Sequence, residues 1–300
     1  IASRLWGKID GKTVLWNSFG KGKVSFGINL GDFLSRSGLT PDVILPADFA
    51  YTHRKDGDAD IYFIANQKKE PCKTEISFRI ANKQPEYLDA LTGERRALNN
   101  YSFQNGRTII PLEFSPEGSC FIVFRGKSQV SGNDKANFPA YSKVQTIEGD
   151  WNVKFSENGH QPFYRTFNQL TDWTLSDDKE VKYFCGKTNY TIDFSFDRKL
   201  PGTCYLNLGK VESLAKIKLN GKEINTLWCY PYRLNVSAYL VNGTNKLEVE
   251  LVNQWWNRLI GDEQPGAIRQ TSVSARLFWK ADDKLIPSGL LGPVVLETIK

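Results

Sequence analysis

The strongest constraint on this chain is a two-residue alternation of apolar and polar side chains, broken by turn chemistry, that recurs along most of its length. It is sharpest around Lys218-Leu219-Asn220-Gly221-Lys222. Asn-Gly between alternating runs accepts the positive φ at both central positions that a type I′ hairpin demands. Helices bring residues three or four apart onto one face, so a chain patterned at two cannot be mainly helical. Earlier in the chain, Ile61, Phe63 and Ala65 alternate with Tyr62, Ile64 and Asn66, and Ile76, Phe78 and Ile80 with Glu75, Ser77 and Arg79. Further strands are predicted at 87–91, 108–114 and 120–125, separated by Thr92-Gly93-Glu94, Asn105-Gly106-Arg107 and Pro116-Glu117-Gly118. Short strands this closely spaced describe a small antiparallel β-sandwich, placed at 51–127.

Beyond a polar linker at 128–145, which holds Ser128, Ser131, Gly132, Asn133, Asp134 and Pro139, the alternation resumes. Strands are predicted at 151–155, 181–184, 189–196, 203–208, 214–219, 222–226, 232–236, 246–253, 273–279 and 294–299. That many strands in one block, 146–300, fit a two-sheet jelly roll. Leu206, Leu208, Ile217, Leu219, Leu247, Val249 and Leu251 form its expected core. Residues 1–50 differ. Gly20–Gly27 is predicted to be a tight turn feeding a strand, and residues 31–38 a short helix stopped by glycine, together the incomplete tail of an α/β domain.

Charge and composition remove whole classes of function. Residues 1–145 carry 20 cationic and 15 acidic side chains, and residues 146–300 carry 19 and 18. The densest basic runs are the pairs Lys68-Lys69 and Arg95-Arg96, too sparse to replace the counterions of a nucleic acid. No run of about 18 apolar residues is available to span a membrane. Five cysteines, Cys72, Cys120, Cys185, Cys204 and Cys229, lack C-x-x-C spacing, which argues against a zinc site or a disulfide framework. Cys185 and Cys204 fall in apolar strand patterns and are expected to be buried thiols. His53 and His160 have no nucleophile motif beside them, and neither a phosphate loop nor a dinucleotide fingerprint occurs. No cofactor is expected. Asp56-Gly57-Asp58-Ala59-Asp60 lacks the later ligands of a calcium loop and is taken as a hydrophilic turn. The chain holds no methionine and opens Ile1-Ala2-Ser3-Arg4, from which a piece of a larger polypeptide is expected.

Two clusters combine groups that a sugar site uses, an aromatic face for stacking beside amide, guanidinium and carboxylate groups for hydroxyls. The denser one is Asn253–Gln264, with Trp255, Trp256, Asn257, Arg258, Asp262 and Glu263 on a predicted loop. The alternative is an aromatic loop packed against a neighbouring domain, with Arg258 and Asp262 as a structural ion pair. The second cluster, with Trp228 and Tyr230, follows the Asn220-Gly221 hairpin. Glycoside hydrolysis needs two carboxyl groups held across a cleft; no acid pair in the sequence is singled out, and no catalytic or metal-binding residue is assigned.

At these residues the chain resembles a known family. Tyr51-Thr52-His53-Arg54 and Ala59–Gln67 are similar to the segment after the catalytic region of large bacterial α-L-rhamnosidase-like glycoside hydrolases. Glu86–Glu94 resembles a strand and turn of the same family, with Asp89 and Thr92-Gly93 at the matching places. Leu219-Asn220-Gly221-Lys222, Leu227-Trp228, Pro231-Tyr232-Arg233, Asn257–Asp262 and Pro287–Val294 resemble its galactose-binding-like jelly roll, itself similar to the sugar-binding sandwich of β-galactosidases and β-glucuronidases. The resemblance implies an all-β fold, a small antiparallel β-sandwich followed by a galactose-binding-like jelly roll with a short α/β remnant at the N-terminus. It further implies catalytic carboxylates in a barrel-type domain upstream of Ile1, in the same polypeptide, and a periplasmic or cell-surface location. The parent is then a glycoside hydrolase, and this segment a non-catalytic accessory region that supports the barrel. A carbohydrate-binding module with a carbohydrate ligand on the two clusters is the alternative, and a self-sufficient glycosidase the second alternative.

Overall fold

The computed structural model describes residues 1–128, 132–156, 161–197, 202–271 and 278–299. They form two compact units, Ile1–Asn137 and Phe138–Lys300. Both are built from antiparallel sheets with a few short helices.

In the first unit, four strands (Val43–Ile44, Cys72–Phe78, Arg107–Phe114, Ser102–Gln104) and five strands (Phe49–Asp56, Ala59–Asn66, Ser119–Lys127, Lys83–Leu88, Arg95–Ala97) make two sheets in those orders. The period-two pattern resolves by face: Tyr62 and Ile64 of one sheet are buried with Ile76, Phe78, Ile110 and Leu112 of the other. Tyr62 meets Phe78 at 5.0 Å and Phe78 meets Phe124 at 5.3 Å, edge to face, which is the preferred aromatic geometry. The predicted strand at 87–91 instead spans Lys83–Leu88, because the Asp89 carboxylate accepts from the Leu91 and Thr92 amides and turns the chain. Within the Asp56–Asp60 run, Gly57 and Asp58 make the turn that joins Phe49–Asp56 to Ala59–Asn66, with Gly57 at φ 55°, while Asp60 is a buried strand residue.

His53 lies between two carboxylates, Nδ1 2.7 Å from Asp42 and Nε2 3.0 Å from Asp60, and its ring stacks on Tyr62 at 4.1 Å. Arg79 pairs with Asp42, and Lys83 and Lys55 with Asp60. Burial pushes the Asp60 carboxyl up, but hydrogen bonds from Lys83 and His53 and the charges of Lys83 and Lys55 outweigh it and hold the group below its ordinary 3.8. A carboxylate more acidic folded than unfolded adds stability above the unfolded value and loses it as pH falls through the folded one. Asp60→Asn is therefore expected to be less stable than the parent at pH 7, with the difference shrinking below pH ~4. Urea melts between pH 7 and 2.5 check this; a constant difference across that range would remove the electrostatic account.

The second unit carries a six-stranded sheet, ordered Phe163–Phe167, Trp151–Ser156, Lys187–Phe196, Gly243–Val252, Leu214–Leu219, Lys222–Leu227. A four-stranded sheet (Tyr141–Thr146, Val295–Ile299, Cys204–Asn207, Arg233–Asn235) and the pair Lys210–Val211 with Leu290–Gly292 complete it. All seven expected core residues are buried. The hairpin turn has Asn220 at φ 53° and Gly221 at φ 76°, the left-handed pair of a type I′ turn.

Three expectations change. The strand predicted at 181–184 is instead the end of a helix, Lys179–Lys182, because the Asp178 carboxylate caps the Glu180 amide; Val181 within it and Phe184 just beyond it are both buried. Cys185 accordingly follows a helix, although it is buried as expected. The loop holding Trp256–Asp262 is also a helix. Of the strand at 273–279, residues 273–277 lie outside the described residues, as does His160, and Phe278 and Trp279 are not in a strand. Cys72, Cys120 and Cys204 are free, and burial pushes the Cys120 thiol up to about 12, so it is inert at neutral pH.

Residues 1–42 fold locally. Helices Ala2–Trp6 and Leu30–Arg36 flank a hairpin of Trp16–Phe19 and Gly22–Ser25, and Asn29 caps the second helix by accepting from the Asp32 amide. Not one residue of this segment is buried; the first is Val43.

Candidate functional site

The Gly243–Val252 strand delivers the chain into the helix Trp256–Asp262, and this helix divides its side chains sharply. Trp255, 58% exposed, and Trp256 face outward, while Asn257 to Asp262 are all buried. Trp256 donates to the Lys284 carbonyl at 3.2 Å and packs edge to face against Trp279 at 4.0 Å. Gly261 is the point of closest approach: a Cβ there would meet the Tyr183 ring at 2.6 Å.

The polar groups of the helix hold neighbouring loops. Asn257 donates to the Ile286 carbonyl at 2.7 Å and to Ser288 Oγ at 3.0 Å, and accepts from the Ile286 amide at 2.9 Å. Upstream, Asn253 does the same for residues 184–186, donating to Phe184 and accepting from Gly186. Asp262, 2% exposed, accepts through Oδ2 from the Gln270 and Thr271 amides and the Thr271 hydroxyl, so these, not Arg258, are its partners. Its Oδ1 is buried without a hydrogen-bond partner. Glu263 accepts from Arg269 at 3.2 Å.

Between this helix and Lys179–Lys182 opens a cavity of about 400 Å³. Of the eight residues marked in the sequence, Arg258 and Asp262 line it; Trp228, Tyr230, Trp255, Trp256, Asn257 and Glu263 do not. Trp228, 63% exposed, stands apart on its own loop, and Tyr230 beside it touches Tyr232 edge to face at 5.3 Å. Gln264 falls in the marked cluster, but sequence reasoning missed Gln161, Phe163, Tyr183 and Gln270, since they come from other stretches. The one local signal was Pro265-Gly266, a turn with Gly266 at φ 76° that closes the helix against the cavity. Among the described residues no three His, Cys, Asp or Glu side chains are placed to hold a metal ion, and no helix is long and apolar enough to cross a membrane.

A jelly roll preceded by a second β-sandwich is a domain type found in glycoside hydrolases, and the comparisons place this chain among their relatives. Residues 147–281 match the galactose-binding-like domain of glycosyl hydrolase 2, and residues 1–103 match the α-L-rhamnosidase family, glycosyl hydrolase 106. The rhamnosidase from Novosphingobium sp. PP1Y superimposes with a TM-score of 0.78 at 32% identity, over 98% of this chain and 28% of that one. A protein of Formosa agariphila named "Putative beta-glucuronidase" is 33% identical over 179 residues, which is 51% of this chain and 15% of that protein. The chain is thus similar to an α-L-rhamnosidase over its first part and to a galactose-binding-like domain over its second, and it spans under a third of each of these relatives.

Proposed function

We propose that the chain is a non-catalytic accessory region of an α-L-rhamnosidase-type glycoside hydrolase, packed against the catalytic domain of the same polypeptide and working in the periplasm or at the cell surface. The observation that carries this reading is the composition of residues 1–42 set against their burial. Trp6, Trp16, Phe19, Phe26 and Phe33 lie in a segment without one buried side chain, and Leu30 and Leu39 are largely exposed. Exposed apolar side chains gathered in one short segment mark an interaction face. The rings contact one another and nearby cations, as in Trp6 with Phe26 and Trp16 with Phe33, so the segment is ordered but uncovered. A neighbouring domain of the parent protein is the cover that the family relationship supplies.

The purified 300-residue chain is expected to leave 4-nitrophenyl α-L-rhamnoside and 4-nitrophenyl β-D-glucuronide intact. Hydrolysis that a point substitution within the chain abolishes would overturn the accessory role and make the chain a glycosidase in its own right.

A further inference from the structure

We infer that Asn105 is a site of spontaneous covalent modification, where the chain's own backbone converts the side-chain amide to aspartate or isoaspartate with water as co-reactant. Asn-Gly is the dipeptide that suits this chemistry, because the asparagine carboxamide and the next backbone nitrogen can close a ring, and glycine puts no side chain in the way. The Gly106 nitrogen, its proton lost to solvent, bonds to Asn105 Cγ; the bond from Cγ to the amide nitrogen breaks, and ammonia leaves. Water then opens the cyclic imide at one of its two carbonyls. Opening at one restores the ordinary main chain with an aspartate side chain. Opening at the other leaves an isoaspartate, whose main chain runs through the former side chain.

Asn-Gly pairs occur at Asn105, Asn158, Asn220 and Asn242, of which Asn158 lies outside the described residues. The other three differ in how firmly they are held. Asn105 and Asn220 open turns of nearly the same shape, φ 50° then 74° against φ 53° then 76°, so the backbone form does not separate them. Tethering does. The Asn220 side chain donates to the Tyr239 carbonyl at 2.9 Å and to Asn245 Oδ1 at 2.8 Å, and accepts from the Lys246 amide at 2.9 Å. Its own amide donates to the Lys246 carbonyl at 2.9 Å. Around Asn242 the buried Asn245 holds both neighbours, accepting from the Val241 amide and donating to the Val241 and Gly243 carbonyls. Asn105, by contrast, is exposed and its side chain makes no hydrogen bond among the described residues. Its turn joins Ser102–Gln104, a three-residue strand at the edge of its sheet, to Arg107–Phe114. Ring closure needs the carboxamide and the next nitrogen to swing together, and a loop tip on a short edge strand is where such local opening costs least. The product sets a new carboxylate, and in the isoaspartate a longer main chain, beside Arg107, whose guanidinium donates to the Pro41 carbonyl at 2.8 Å and the Asp42 carbonyl at 3.2 Å.

The test is incubation of the 300-residue chain in mildly alkaline buffer at physiological temperature, folded and in parallel unfolded in urea, with samples taken for peptide mass mapping and fragmentation to the residue. In the folded chain Asn105 is expected to convert at least about tenfold faster than Asn220 or Asn242, the factor imposed by having to break two or more hydrogen bonds first. In urea the tethers are gone, and the three rates should draw within a few-fold of one another, which shows that the fold and not the neighbouring residues sets the order. Isoaspartate at position 105, read by methylation with an isoaspartyl methyltransferase, should rise together with the mass change. Three results would overturn the assignment: Asn220 or Asn242 converting as fast as Asn105 in the folded chain, the same ratio of rates folded and in urea, or an Asn105 that stays intact while the unfolded chain converts.

Discussion

Trp173→Ala is expected to destabilise the Phe138–Lys300 unit by about 3–5 kcal/mol, the loss typical of a fully buried large aromatic. The indole is 1% exposed and central to an aromatic cluster, with Phe155 at 5.3 Å, Phe184 at 5.9 Å and Tyr190 stacked parallel at 6.3 Å. Its N–H donates to the Tyr190 hydroxyl at 2.7 Å, which also accepts from the Leu290 amide. Burial raises the Tyr190 phenol well above its usual range, so it remains a neutral hydroxyl at every pH the protein meets. Around the indole the backbone is fitted closely: Gly289 sits at φ 106°, and a Cβ there would lie 2.6 Å from the indole nitrogen. Removing the ring leaves a large cavity and takes a donor from Tyr190. Trp173→Phe separates the two effects. It keeps most of the packing and is expected to cost about 1–3 kcal/mol, mainly for the lost donor and partial cavity. Urea denaturation of the three proteins measures both values; an Ala variant within 1 kcal/mol of the parent would show that the cluster repacks around the void.

Trp173 also shows what the sequence could and could not reveal. Strands were legible because their signal is local: alternation marks Leu247, Val249 and Leu251, and Asn220-Gly221 fixes a turn by two residues alone. The indole's surroundings come from residues 155, 184, 190 and 289, and no local pattern announces such a meeting. Short helices were lost for a related reason. Lys179–Lys182 is too short to show a period, and its cap, Asp178, stands in a polar run that also suits a turn. Trp256–Asp262 has no side-chain cap and is buried almost all round, so neither amphipathicity nor a start signal distinguishes it from a loop.

The chemical grouping at 253–264 was visible, but its direction was not. Asparagine, arginine and aspartate beside two tryptophans compose a sugar site and a structural joint equally well. Which of the two a side chain serves depends on where its polar atoms end, and that is set by loops 10 to 70 residues away, as for Asn253 with 184–186 and Asn257 with 286–288. Of this stretch, Arg258, Gly261, Asp262 and Gln264 line the cavity.

Asn257→Ala is accordingly expected to act on stability, lowering it by about 1–3 kcal/mol, because it removes the partner of the part-buried Ile286 amide and carbonyl, and a fully buried unsatisfied group costs about that much. The loss should be local in its signature. Ile286 N–H, which donates to the Asn257 side chain at 2.9 Å, should lose protection from hydrogen exchange. Ser288 N–H, which donates to the Asp172 carboxylate at 3.0 Å, should keep most of its own. Asn257→Asp keeps an acceptor for the Ile286 amide but sets a carboxylate against the Ile286 carbonyl, so it should fall between the parent and Ala at neutral pH. Because the Trp173 indole packs against Gly289 and shares the Tyr190 hydroxyl with the Leu290 amide, both side chains hold the stretch 286–290, and their losses should not add: the double variant is expected to lose less than the two single variants together. Full additivity would mean that the two anchors act on separate structures. An Asn257→Ala protein with parental stability and a protected Ile286 amide would instead free this side chain for recognition at the surface.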